Sequence, residues 1–288
     1  LHVDSVEAPV WDLRKKRAEF NDLNNFAPKQ HHHSYSLENE KLEQKEENKN
    51  SHSQENNSNL SKVDFEDDEE GGERGREIDE DFLDLQLAVE EDVSTWSQIC
   101  KTDTVVVYKK KTEGTPMVLL KAVATLEGFP KEVVFQAIYN TNIRWKWDKL
   151  FHHFEVVEDD PEKMDTVLYY IIKAPFGISN RDFLQRRKVI RDFPKKGIDY
   201  MHFKSIEHPE KPEVKKIVRA ETIISGYVLE QIQDDPPVTK LTVISQNDIK
   251  GLIPKSIVNM ASGKAPKQWI GNLITGWTDL MKSEEYQS

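Results

Sequence analysis

The chain has 288 residues, with 40 Lys and Arg against 51 Asp and Glu, a formal net charge of −11 and 37% hydrophobic residues. That length accommodates one or two domains with a sizeable core. Residues 1–80 hold 11 of the basic and 21 of the acidic side chains, leaving 29 and 30 for residues 81–288, so the larger part is nearly neutral and gives no ground for nucleic-acid binding. One cysteine, Cys100, excludes an intrachain disulfide and favours a reducing compartment. No apolar run approaches the roughly 20 residues of a transmembrane helix.

Residues 1–80 read as a disordered, acidic, low-complexity extension. The stretch from Ser34 to Asn59 is dominated by Ser, Asn, Gln, Glu, Lys and His, and the acidic run Glu66 to Glu70 precedes Gly71 and Gly72. Such composition buries too little apolar surface to offset its ordering entropy. A solvated linker and a tail that binds a protein partner both fit it. The segment from Val10 to Phe20 mixes apolar residues with a basic run, as a short helix touching a membrane or a partner would, or as a weakly structured stretch would. Three adjacent histidines, His31 to His33, lack the geometry of a metal site, and neither metal nor cofactor is expected. The chain starts at Leu1 rather than Met, the expectation being a processed or trimmed chain from which a targeting segment is already gone.

Order is expected from residue 81 to 288. Phe82, Leu83, Leu85, Leu87, Val89 and Trp96 form an apolar seam read as a helix, although 83, 85, 87 and 89 also alternate as in a strand. Strands are expected over 104–109 and 117–126, separated by the turn-prone Glu113 to Pro116. Phe129 and Pro130 open a helix to about Asn140 with Val133, Val134, Ala137 and Ile138 at helical spacing, and a short helix carries Arg144 to Leu150. The second half is strand-rich, over 154–158, 166–173, 183–191, 199–206, 214–232 and 239–248, with Asp234 to Pro237 as a hairpin turn. The last element, 266–282, places Trp269, Leu273, Trp277 and Leu280 on one face, with Gly271 and Gly276 inside it, a sign of close packing or of mobility. Serial strands with few helices indicate α+β with an antiparallel sheet rather than a parallel nucleotide-binding sheet.

Two motifs stand out: Arg144-Trp-Lys-Trp-Asp-Lys149, and Lys173-Ala-Pro-Phe-Gly-Ile-Ser-Asn-Arg-Asp-Phe-Leu-Gln-Arg-Arg187. With Thr166 to Tyr170, Ile217 to Arg219, Gly226-Tyr227, Lys240 to Asn247 and Gly251 to Asn259 they recur in order over about Phe82 to Met281. The ordered set resembles the START family of lipid-binding domains, most closely its phosphatidylcholine-transfer branch. That resemblance implies a helix-grip fold: a curved antiparallel sheet wrapped around a long C-terminal helix, with one lipid in an internal cavity and the helix as a lid.

Arg144 and Asp148, four residues apart, share a helix face. Spacing alone fits an exposed ion pair, and also a phosphate-binding arginine held by an inward carboxylate. The resemblance implies the second, with Arg144 at the lipid phosphate and Asp148 as its partner. It places aromatic residues for choline at the positions of Tyr170, Phe183 and Ile223; the third is aliphatic here, which weakens a three-sided cage and leaves phosphatidylethanolamine or another phospholipid open. Arg219 is a candidate second cavity charge, and Arg181 and Asp182 read as structural. Alternation sends Arg187 and Arg191 to one sheet face and Arg186 and Lys188 to the other. Leu252, Ile253, Ile257, Trp269, Leu273 and Trp277 are candidates for the lid and for membrane contact, with inward packing as the competing reading.

A phospholipid ligand, a transient membrane surface, and a cytoplasmic location or export after processing follow from the resemblance. A ceramide or sterol carrier and a lipid-sensing adaptor working through residues 1–80 remain alternatives. Catalysis is not expected: there is no Gly-rich phosphate loop, no Gly-x-Ser-x-Gly elbow and no metal-spaced His/Cys set, and His152, His153, Glu155 and Asp148 are the nearest approach to an acid–base cluster.

Overall fold

A computed structural model describes residues 80–282 with the exception of 114, 116, 176 and 252–254, and without the side chains of 81, 255–264 and 280–282. The expectations for residues 1–79, for part of the Glu113 to Pro116 turn, and for Leu252, Ile253 and the side chain of Ile257 lie outside the described residues.

The element order is α1 (Glu80–Glu90), β1 (Ser97–Lys101), β2 (Val105–Lys111), β3 (Val118–Glu127), α2 (Lys131–Tyr139), α3 (Thr141–Trp147), β4 (Phe151–Asp160), β5 (Asp165–Ile172), β6 (Arg181–Ile190), β7 (Ile198–Ser205), β8 (Val218–Arg219), β9 (Glu221–Asp234), β10 (Pro237–Asp248) and α4 (Lys255–Lys282). The strands form one curved sheet in the order β1-β2-β3-β10-β9-β7-β6-β5-β4, antiparallel throughout except that the two-residue β8 pairs parallel with β6. α4 packs against β1, β2, β3 and α3. This is the α+β helix-grip arrangement.

Strand alternation divides the core in two. The face toward α2, α3 and α4, called inner here, carries Val107, Ala124, Leu168, Met201, Leu229 and Leu241, which cluster with Phe135, Trp147, Trp269, Leu273 and Trp277. The outer face carries Tyr200, Val228 and Ile244 under α1, and Val167, Tyr169 and Leu184 nearer β4. Each fully buried Leu, Ile or Phe in these clusters contributes about 1.5–3 kcal/mol.

α1 resolves the ambiguity between helix and strand. Phe82, Leu85 and Ala88 are buried at helical spacing, whereas Leu87 is 66% exposed. β1 was not anticipated; it has five residues, a register shift between Gln98 and Cys100, and no clean alternation. α4 begins at Lys255, not at Pro266, which lies inside it. Proline removes one helical hydrogen bond and its ring crowds the preceding turn, so a sequence-based start falls there although the helix runs through. The 214–232 strand splits into β8 and β9.

Candidate functional site

Asn140 starts the site. Its Oδ1 accepts hydrogen bonds from the backbone N–H of Asn142 (3.0 Å) and Ile143 (3.2 Å), capping α3 directly after α2. The cap fixes a seven-residue helix that buries Ile143, Arg144 and Trp147 while leaving Trp145 and Lys146 exposed. Trp147 Nε1 donates to the Ala137 carbonyl (2.8 Å), locking α3 on α2.

Arg144 is therefore held inward. Its Nε donates to Asp148 Oδ2 (3.4 Å) and its Nη2 to the Tyr227 hydroxyl (3.2 Å). Nη1 has no hydrogen-bond partner among the described residues. The guanidinium lies 5.1 Å from the Phe151 ring centre, 5.6 Å from that of Tyr227 and 5.8 Å from that of Trp269. Burial pulls its pKa down, but Tyr227, Asp148 and Tyr170 outweigh that, so the net shift is upward and the cation is secure. Asp148 is buried and accepts from Trp269 Nε1 (2.8 Å) and the Leu150 N–H (3.3 Å). One carboxylate thus joins α3, α4 and the start of β4. Tyr227 stacks on Trp269 with centroids 5.0 Å apart and planes at 7°.

Beyond Phe151 the aromatic series continues. Phe151 meets Tyr170 edge-on at 5.2 Å, and Tyr170 stacks on Phe183 at 5.0 Å and 13°. The Tyr170 hydroxyl donates to Gln185 Oε1 (2.9 Å), and burial pushes its phenol well above the usual range.

The structure brings Arg144, Asp148, Tyr170 and Phe183 together, and it corrects two expectations. Ile223 does not complete a cage with Tyr170 and Phe183. A bulge where β9 passes Gln246 and Asn247 of β10 leaves Ile223 unpaired and 43% exposed, and puts Thr222 on the inner face instead. Arg219 is not a second charge beside Arg144. It stands on the outer face, where Nη2 donates to Asp182 Oδ2 (2.9 Å) and to the carbonyls of Lys211 (3.1 Å) and Pro212 (3.3 Å), at the rim of a surface pocket of about 720 Å³. Arg181 ties β6 to the entry of α4 through the carbonyls of Ile249 (3.1 Å) and Lys250 (3.0 Å).

Trp269, Leu273 and Trp277 are all packed inward, between 3% and 7% exposed. Arg187 is buried on the inner face, donating to the Tyr139 carbonyl (2.7 Å) and Thr166 Oγ1 (3.0 Å), and burial lowers its pKa to about 10. His152 and His153 are exposed, His153 Nε2 lies 3.3 Å from Glu155 Oε2, and Asp148 is turned away into the core. Among the described residues no group of three His, Cys, Asp or Glu is placed to hold a metal ion, and no helix is long and apolar enough to cross a membrane. Sequence reasoning missed Tyr227 and Phe151 as neighbours of Arg144. The Gly226-Tyr227 motif was visible, but nothing local shows that β9 comes to lie opposite α3.

A curved antiparallel sheet packed against one long helix defines a helix-grip protein. The chain belongs to the START family: the START domain model matches residues 79–269. Human START domain-containing protein 10 is 30% identical over 135 residues, covering 46% of this chain and 44% of that protein. The chain thus matches under half the length of that relative. Bovine phosphatidylcholine transfer protein is 20% identical over 191 residues, 66% of this chain and 87% of that one. Among solved structures, human STARD10 superposes with a TM-score of 0.63 at 24% identity, covering 73% and 82% of the two chains. Human StAR-related lipid transfer protein 5 gives 0.63 at 21%, covering 70% and 96%.

Proposed function

We propose that residues 81–288 form a domain that encloses one phospholipid between the sheet and α4 and carries it between membranes, with Arg144 at the lipid phosphate and α4 as the moving lid. The observation that carries this reading is a charge-secured Arg144 guanidinium held on the inner face by Asp148 and Tyr227, with no described partner at Nη1. A planar guanidinium with a donor left over suits a phosphate. Phe151, Phe154, Tyr170 and Tyr227 around it are only partly buried although they belong to the inner face, which fits a space that a ligand fills. The relatives named for lipid or phosphatidylcholine transfer support the same class of ligand.

Enclosure follows from the ligand's size. Two acyl chains carry roughly thirty CH₂ groups at about 0.8 kcal/mol each, so a carrier must shield nearly all of them. Release then requires α4 to leave its seat, which exposes Trp269, Leu273 and Trp277, side chains suited to a bilayer interface. The test is transfer of labelled phosphatidylcholine, phosphatidylethanolamine, phosphatidylinositol, ceramide and cholesterol between liposomes by the full chain, with Arg144→Ala in parallel. Transfer of phospholipids, lost in the variant, is the expected result. Transfer of ceramide or cholesterol alone overturns the phosphate role. A folded protein that moves no lipid overturns the carrier and leaves an adaptor.

A further inference from the structure

The inner face next to Arg144 is not lined as a choline cage. One face of the Tyr170 ring and one of the Phe183 ring are taken up by each other at 5.0 Å, Phe151 meets Tyr170 edge-on, and Ile223, bulged out to solvent, supplies no further wall. What lies beside them is a chain of neutral polar groups. The Tyr170 hydroxyl donates to Gln185 Oε1 (2.9 Å), Gln185 Nε2 donates to Thr222 Oγ1, and Thr222 Oγ1 donates to Asn247 Oδ1 (2.7 Å). Gln185 and Thr222 are each 3% exposed. Strand alternation puts Phe183 and Gln185 on the same face, and the bulge that removes Ile223 is the one that turns Thr222 inward.

The direction of these bonds sets what the chain can still do. The Tyr170 and Thr222 hydroxyl hydrogens are both committed within it. The Tyr170 oxygen, Gln185 Oε1 and Asn247 Oδ1 each keep a free lone pair, because such oxygens accept two bonds. Against these three lone pairs, Gln185 Nε2 and Asn247 Nδ2 each keep one N–H, so the remaining capacity leans toward accepting. A primary ammonium brings three N–H donors to such a surface, whereas a trimethylammonium brings none and is held only by aromatic faces. Sites built from buried hydrogen-bonding groups discriminate against a ligand that leaves them unmet.

Resting on the phospholipid reading above, we infer that the subsite beyond the phosphate is built for a headgroup carrying a protonated primary amine, as in an ethanolamine phospholipid, in preference to a choline one, with Tyr170 and Gln185 as the specificity-determining residues. The full chain is loaded from vesicles containing equal amounts of phospholipids that share their acyl chains and differ only in zero, one, two or three N-methyl groups, and the protein-bound lipid is quantified by mass spectrometry. Occupancy is expected to fall stepwise with methylation, by about tenfold or more over the series, since each lost charge-assisted hydrogen bond weakens binding severalfold or more. Gln185→Leu and, as the milder change that keeps the ring, Tyr170→Phe flatten the series while both proteins still load phospholipid. Arg144→Ala lowers all four lipids alike. Choline lipid loaded as well as or better than ethanolamine lipid overturns the inference while leaving the carrier intact, as does an unchanged slope in folded Tyr170→Phe. Loading of none of the four overturns the phospholipid reading and this inference together.

Discussion

Replacing Gly276 with Ala measures how tightly α4 sits on α3, and Gly271→Ala in the same helix is its control. A Cβ built at Gly276 would stand 2.3 Å from Trp147 Cβ and 3.2 Å from its Cα, whereas one built at Gly271 meets no heavy atom within 4 Å. Carbon atoms in contact prefer about 3.5–4.0 Å, so the two helices must separate by over an ångström at Gly276. Trp147 cannot give way cheaply: it is buried, it is bonded to the Ala137 carbonyl, and the atoms in the path are its backbone and the root of its side chain. Glycine to alanine inside a helix gains about 1 kcal/mol, and overpacking costs about 1–3 kcal/mol. Gly271→Ala is therefore expected to stabilise by up to about 1 kcal/mol, and Gly276→Ala to destabilise by about 1–2 kcal/mol once its helix gain is subtracted from the upper part of the overpacking range. At about 2–4 °C per kcal/mol for a domain of this size, the two melting temperatures should move in opposite directions. Thermal and urea unfolding of the full chain at neutral pH read this out. Gly276→Ala as stable as Gly271→Ala would refute the seat. Lateral displacement of α4 also pulls Trp269 away from Asp148, so loss of stability in Gly276→Ala should come with faster lipid exchange.

Asp148→Ala strands the Arg144 guanidinium and the Trp269 N–H in the core, and should lower unfolding free energy by about 3–5 kcal/mol; Asp148→Asn, which still accepts from Trp269, should cost less, both measured in urea. Burial first, then Asp182, push the Tyr169 phenol up from its ordinary 10.0 to about 12. The stability linked to it is fully present below pH 10 and is lost as pH rises toward 12. Near-ultraviolet titration should find a late-ionising phenol that Asp182→Asn brings down. Ile223→Ser should leave stability within about 0.5 kcal/mol of the parent and leave lipid loading unchanged; a fall in loading would return Ile223 to the headgroup site.

Much of the fold was legible because local pattern and tertiary burial agree in it. The turn at Asp234 to Pro237 separates β9 from β10 as expected, and the helical spacing at Val134, Ala137 and Ile138 marks the buried side of α2. Where sequence reasoning failed, a long-range contact overrides the local signal. β1 has no alternation of its own and exists because β2 offers an edge. Pro266 signals a helix start, yet α4 continues through it from Lys255. Arg187 reads as one of four charges on a strand, and only the fold shows it buried under the α2 terminus, over the Tyr139 ring at 4.1 Å.

The site divides along the same line. Arg144 and Asp148 are four apart on one helix, so their pairing is local and visible in the chain. The rest of the proposed headgroup surface comes from β5, β6, β9 and β10, and its chemistry turns on one extra residue in β9. Without the bulge, Ile223 would continue the alternation and Thr222 would face out; with it, a hydrogen-bonding group replaces an apolar one at the wall. A bulge of one residue inverts every side chain beyond it relative to its neighbours, and no periodicity in Glu221 to Ser225 announces it. On the proposed reading, headgroup choice is set by strand register as much as by residue type. A substitution that moved the bulge, without touching Tyr170 or Gln185, should change the lipid it prefers.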